Sequence, residues 1–144
     1  MNDQLSDELH ARITALCDKG NELTEEGDFE KAIDPFRSAL ELIPKPIENW
    51  EAATYVLAAL GDCYFMLEDF ETAHYFFARA MYCPGAIGTP FMHLRLGEIQ
   101  YELGNQDRAK DELARAYMGG GREIFEGEDP KYFQFIRQFL RDVK

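Results

Sequence analysis

The sequence predicts an all-α protein, an α-solenoid of three helical hairpins closed by a C-terminal helix. Three observations predict it. A pattern of small and bulky residues recurs without a gap in "KGNELTEEGDFEKAIDPFRSAL" (19–40), "LGDCYFMLEDFETAHYFFARAM" (60–81) and "LGEIQYELGNQDRAKDELARAY" (96–117). Each copy breaks at its middle, at Gly27-Asp28, Glu68-Asp69 and Gly104-Asn105. Glycine can end one helix there, and Asp or Asn can cap the next. Finally, the third copy runs into Gly119-Gly120-Gly121 and then a short amphipathic segment.

The columns of the repeat are specific. Gly20, Gly61 and Gly97 fall in step, as do Ala32, Ala73 and Ala109, and Ala39, Ala80 and Ala116. Phe36, Phe77 and Leu113 share a bulky column, while Gln100 and Gln106 depart from the apolar columns of Leu23/Tyr64 and Phe29/Phe70. Small residues such as Gly20 and Ala32 let paired helices approach, and the aromatics are expected to fill the space between neighbouring hairpins. This packing account needs no ligand.

This pattern resembles the tetratricopeptide repeat family. The spacing appears as Leu16, Gly20, Leu23, Gly27, Ala32, Phe36, Ala39 and Pro44 in the first unit. In the second it is Leu57, Leu60, Gly61, Tyr64, Ala73, Phe77 and Ala80, and in the third Leu96, Gly97, Gly104, Ala109 and Ala116. The resemblance implies a right-handed stack and one domain over 1–144, with repeats at about 13–46, 54–87 and 90–121 and a capping helix at about 129–143.

Two stretches lengthen the period of about 34 residues that is usual for the family. Ala32 to Ala73 is 41 residues and Ala73 to Ala109 is 36. The first excess lies in "IPKPIENWEAATYV", where Pro44 and Pro46 end one helix and start another, predicted to run from Ile47 to Leu67 with Trp50 on its extension. The second lies in "CPGAIGTPF", where Thr89 is expected to cap and Pro90 to open the third hairpin. In the last segment Asp129 caps and Pro130 takes the first helical position. Tyr132, Phe133, Ile136, Phe139 and Leu140 form an apolar stripe, and Arg137, Arg141 and Lys144 favour the helix C-terminus. The three glycines read as a helix stop. A phosphate loop would need a preceding strand and a following Lys with Ser or Thr. Ile124 and Phe125 are expected to tuck inward on the way to the last helix.

The chain has 27 acids, 15 Lys and Arg, and a net charge of -12. Residues 1–50 hold 12 acids against 5 bases, residues 51–100 hold 6 against 2, and residues 101–144 hold 9 against 8. A field of this sign disfavours nucleic acid, whose binding needs clustered Lys and Arg, and favours a basic protein surface. No apolar run approaches the roughly 18 residues of a membrane span. The start "MNDQLSDELHARI" lacks the basic and apolar regions of a signal peptide, so a cytoplasmic location is expected. Cys17, Cys63 and Cys83 are widely spaced and read as small apolar residues in a reduced compartment. His10, His74 and His93 offer no metal spacing, and no cofactor motif appears. The two serines, Ser6 and Ser38, sit in no nucleophile elbow, and the acidic surroundings of Cys63 and His74 oppose a thiolate. The expectation is a protein that is not an enzyme and holds no metal or cofactor.

In the repeat family the first helix of each hairpin lines a concave groove. Carried over, Thr14, Cys17, Asn21, Thr24 and Glu25 face it in the first unit and Tyr55, Ala58, Asp62, Phe65 and Met66 in the second. Phe91, Leu94, Glu98, Tyr101 and Glu102 face it in the third. Family members that grip acidic chaperone tails use Lys, Asn and Arg there. Asn21 and Arg95 fall in those columns, but the lysine columns hold Cys17 and Phe91, and an acidic groove repels an acidic tail. Three partner classes stay open. Small free-standing bacterial proteins with these repeats are often neighbours of secreted toxins, which suggests an immunity protein, and "GGGREIFEGEDPKYFQFI" resembles the closing segment of such proteins. The partner would then be a basic toxin domain, with Asp62, Phe65, Glu98, Tyr101 and Glu102 as anchors. "GTPFMHLRLGEIQYELGNQDRAKDELARAY" is also similar in rhythm to type III secretion chaperones, which hold an extended client peptide. A scaffold subunit docking through Trp50 is the third class.

Overall fold

In a computed structural model, residues 5–141 form seven α-helices and no strand among the described residues. Two compact units emerge, Met1–Pro84 and Gly85–Lys144. The all-α hairpin architecture is as expected from the repeat.

Unit 1 holds two hairpins, α1 (Asp7–Glu25) with α2 (Phe29–Leu42), and α3 (Glu51–Met66) with α4 (Phe70–Ala80). The Ser6 hydroxyl caps α1 by accepting from the Leu9 N–H at 3.2 Å, and Asp7 and Glu8 suit the positive end of the helix dipole. α1 therefore starts ahead of the matched repeat pattern. Asp28 and Asp69 cap α2 and α4 in the same way, accepting from Lys31 N and Thr72 N. α2 packs on α3, which joins the two hairpins into one core.

Packing inside each hairpin gives the bulky column a specific neighbour. It lies over the glycine of its own hairpin. A Cβ placed on Gly20 would stand 2.6 Å from the Phe36 ring, and one on Gly61 would stand 2.5 Å from Phe77. Phe36 and Phe77 are almost wholly buried as a result.

The helix predicted from Ile47 to Leu67 is broken. Residues Ile47–Asn49 make a 3-10 turn, Trp50 is extended (φ -122, ψ 133), and α3 starts at Glu51. Bonds from Asn49 N to Pro46 O and from Trp50 N to Ile47 O close the turn, and buried Ile47 anchors it. Trp50 thus stands at the mouth of α3, not on a helical extension. It is half-buried, and its Nε1 is enclosed without a hydrogen-bond partner.

Unit 2 holds the third hairpin, α5 (Pro90–Glu102) with α6 (Gln106–Gly120), and then α7 (Pro130–Arg137). Here the bulky partner of the glycine is aliphatic: a Cβ on Gly97 would stand 2.6 Å from Leu113. Thr89 occupies the cap position of α5 but makes no side-chain cap, since its hydroxyl donates to the Gly85 carbonyl. The three glycines close the hairpin. A Cβ on Gly119 would meet Pro90 at 2.9 Å, and one on Gly120 would meet Ile124 at 2.9 Å. Gly121 then ends the helix at φ 71, a conformation that other residues rarely adopt. Beyond it a 3-10 turn, Arg122–Phe125, buries Phe125 and half-buries Ile124.

Asp129 caps α7 by accepting from Lys131 N at 3.0 Å, with Pro130 in the first helical position. Tyr132 and Ile136 are buried, and Phe133 packs at a tilt against Phe125 and Tyr117. α7 ends at Arg137, short of the expected 143. Phe139 therefore lies beyond the helix, 46% exposed and covered by Lys110, whose Nζ is 4.5 Å from the ring centroid. Arg141 lies past the last turn, and Lys144 falls outside the described residues.

Candidate functional site

The residues expected to line one groove divide between the two units and meet two different fates. In unit 1 they border an open cleft of about 250 Å³ between α1 and α3. Ile13, Cys17 and Val56 form its floor, while Asp18, Asn21 and Tyr55 stand on its walls. Helical spacing explains the set: Thr14, Cys17, Asp18 and Asn21 recur every three or four residues, so they share one face of α1. Tyr55 is half exposed, and its hydroxyl pairs with the Asn21 side chain at 2.8–3.1 Å, bridging the two helices. Of the other expected residues, Glu25 is exposed at the end of α1 and Met66 is exposed at the end of α3. Asp62 is half-buried on α3, and Phe65 is half-buried with its ring edge-on to Phe70 at 5.6 Å. Trp50 borders a second, wider depression with Leu5, Asp7, His10 and Glu51.

Cys17 and Cys63 do not offer a nucleophile. Burial, and next Asp18, pushes the Cys17 thiol up. Burial, and next Asp62, pushes Cys63 up to about 11. All three cysteines are free and buried. Among the described residues, no group of three or more His, Cys, Asp or Glu side chains is placed to hold a metal ion. No described helix is long and apolar enough to cross a membrane.

In unit 2 the expected groove residues are covered by the chain's own C-terminal segment. Glu98 is fully buried, which corrects its expected place as an exposed anchor. Arg95, also buried, donates from one guanidinium nitrogen to Glu98 at 2.7 Å and to Glu128 of the segment before α7. Burial first, and the adjacent Glu128 second, push the Glu98 carboxyl up to about 9, against the pull of Arg95. Burial thus favours the neutral form of the Glu98 carboxyl, while the Arg95 guanidinium reaches both Glu98 and Glu128. One turn along, Glu102 accepts from the Tyr132 hydroxyl and pairs with Lys131 Nζ at 2.7 Å. Burial and that hydrogen bond raise the Tyr132 hydroxyl's pKa, and the bond that Lys131 donates to Glu102 raises that of Lys131. Tyr101 packs edge-on against Tyr132 and Phe135, at 5.4 and 5.2 Å. Phe91 lies under Arg95, whose guanidinium carbon is 5.0 Å from the ring centroid.

Sequence reasoning missed Glu128, Lys131 and Tyr132 as partners of the α5 face. It also missed His93, whose Nε2 accepts from Gly88 N while Nδ1 faces Glu112 at 3.2 Å. A signal was present: Arg95, Glu98 and Glu102 follow one helical face, and "EDPKY" offers the complementary acid, base and hydroxyl.

The charge also divides. Residues 1–84 hold 17 acids and 6 Lys or Arg, whereas residues 85–144 hold 10 and 9. The open cleft thus belongs to the strongly acidic unit.

No curated protein sequence matches the chain. Residues 13–46 match the tetratricopeptide repeat family. Among solved structures, the chain is similar to the type III secretion chaperone SycD of Yersinia enterocolitica, in complex with a peptide of the translocator YopD. Identity is 16% and the TM-score 0.68, with 95% of each chain covered. The TPR domain of Arabidopsis OM64 is similar at 15% identity and a TM-score of 0.69, covering 92% of this chain and 99% of that one. The second TPR domain of human RPAP3, in complex with an HSP70 peptide, is similar at 18% identity and a TM-score of 0.66, covering 90% and 96%. At such identities the likeness is one of fold. The chain thus matches the tetratricopeptide repeat family in sequence over residues 13–46, and over nearly its whole length it shares the fold of solved TPR domains.

Proposed function

We propose that the chain is a non-catalytic protein-binding module that holds an extended, basic and partly apolar peptide segment in the α1–α3 cleft. The observation that carries this reading is the cleft itself: an open, apolar-floored trough walled by Asp18, Asn21 and Tyr55 in a unit with 17 acids against 6 bases. An apolar floor supplies affinity, and a field of one sign selects and steers an oppositely charged partner. A similar fold in SycD is seen with a peptide of its translocator, which supports a linear client. The toxin-immunity reading draws on Asp62 and Phe65 in unit 1 and on Glu98, Tyr101 and Glu102 in unit 2. The last three are engaged by the C-terminal segment, which favours the linear client.

Fluorescence anisotropy of labelled peptides against the full chain tests the reading. A Lys/Arg- and Leu-containing peptide should bind with a Kd of roughly 1–100 μM, weakening as salt is raised, and an acidic peptide should not bind. Tyr55→Ala should weaken binding about tenfold and Asp18→Asn by about two- to fivefold, as expected for an aromatic anchor and a rim charge. Binding of a folded basic domain together with failure of every linear peptide would overturn the client reading in favour of an immunity protein.

A further inference from the structure

We propose that the segment from Glu128 to Phe135 is a releasable strap over the Arg95–Glu102 face of α5, fastened by two glutamates on one arginine and loosened as pH rises. As a form of regulation this rests on the protein-binding reading above. The face beneath the strap carries Arg95, Tyr101 and Glu102, which a partner can reach only when the strap lifts.

The geometry sets the fastening. Arg95 donates to Glu98 on its own helix and to Glu128 on the strap, so two carboxyl groups share one positive charge. Glu98 has no exposed surface, and its Oε2 is buried without a hydrogen-bond partner. An ionised carboxylate so placed would be one charge in excess beside Glu128, with no water to spread it. The other polar groups here are Tyr132, Lys131 and Asp129 of the strap and Glu102 of α5. Lys131 is committed to Glu102, and the Tyr132 hydroxyl donates to the same carboxylate. No further cation among these groups is at hand to take the charge of Glu98. The strap stays closed because Glu98 stays protonated.

Proton linkage gives the direction. The carboxyl of Glu98 stands at about 9 when the strap is closed, against an ordinary 4.5. When the strap lifts, water reaches it and it ionises at neutral pH. The closed state binds the extra proton, so its stability is complete below about 4.5 and is lost as pH climbs to about 9. Opening should become easier across that whole window, by up to about tenfold per pH unit, and level off above it.

Hydrogen exchange read by mass spectrometry on the full chain tests this at pH 6, 7 and 8, with rates corrected for intrinsic exchange. Protection of peptides spanning 128–137 should fall several-fold per unit in the wild type, while protection in α1–α4 stays flat. Glu98→Gln keeps the acceptor for Arg95 and cannot ionise, so its strap protection should not change with pH. Glu128→Gln removes the strap's own negative charge from beside Glu98 and should shrink the slope. A flat wild-type profile, a slope that survives in Glu98→Gln, or an equal slope in every helix would each overturn the strap. None of these results touches peptide binding in the cleft, and failure of peptide binding leaves the slope as it is.

Discussion

Glu68 turns the second hairpin at φ 63, where the first and third hairpins use Gly27 and Gly104 at φ 80 and 86. A side chain in this left-handed region costs about 1–2 kcal/mol, and glycine returns about 0.5–1 kcal/mol of that as unfolded-state entropy. Glu68→Gly should therefore stabilise the protein by about 0.5–1 kcal/mol, seen as a higher urea midpoint with an unchanged slope. A lower midpoint would mean that the Glu68 carboxylate makes up for its backbone. At this scale the sequence was only partly legible. The turn was legible because Glu68 aligns with two glycines. The burial of Glu98 was not, because an Arg three residues before a Glu on a helix reads as an ordinary surface pair. Only the return of Glu128, thirty residues on, turns that pair into an interior one.

The hairpin is the element that the repeat specifies, and its physical signature is a glycine under a bulky residue sixteen positions later: Gly20 under Phe36, Gly61 under Phe77, Gly97 under Leu113. That register was readable because any other residue in the glycine column forces the helices apart. Gly61→Ala puts a methyl 2.5 Å from the Phe77 ring, which is itself fully buried and cannot give way. It should destabilise by about 1–3 kcal/mol, the usual cost of overpacking. Gly127→Ala, with nothing within 4 Å, is the control and should stay within about 0.5 kcal/mol by urea titration. Elements outside the repeat were harder to read. The break at Trp50 was missed because tryptophan offers no capping oxygen, so the helical pattern runs through it. α7 was found by its Asp-Pro start and apolar stripe, but its end was not, because no glycine or proline follows Arg137 to mark it.

At the scale of the whole chain, charge acts in two opposite ways. Of the net -12, residues 1–84 carry 17 acids against 6 bases, and residues 85–144 are close to balance. Most carboxylates of unit 1 lie on exposed helix faces and repel one another. This repulsion opposes folding and is screened within a Debye length, about 30 Å at 0.01 M salt and about 4–5 Å near 0.5 M. Raising NaCl from 0.01 to 0.5 M should therefore raise Tm, by roughly 2–6 °C if screening recovers about 1 kcal/mol. The same salt should weaken capture of a basic peptide by the cleft, because there the field is attractive. The two responses have opposite signs and one origin, which separates this account from a general salt effect on hydrophobic burial, where stability and an apolar contact would strengthen together. Thermal melts and anisotropy titrations across one salt series check both. A Tm that falls with salt would mean that the acids of unit 1 are paired and stabilising, and the electrostatic selection of a basic client would then lose its physical basis.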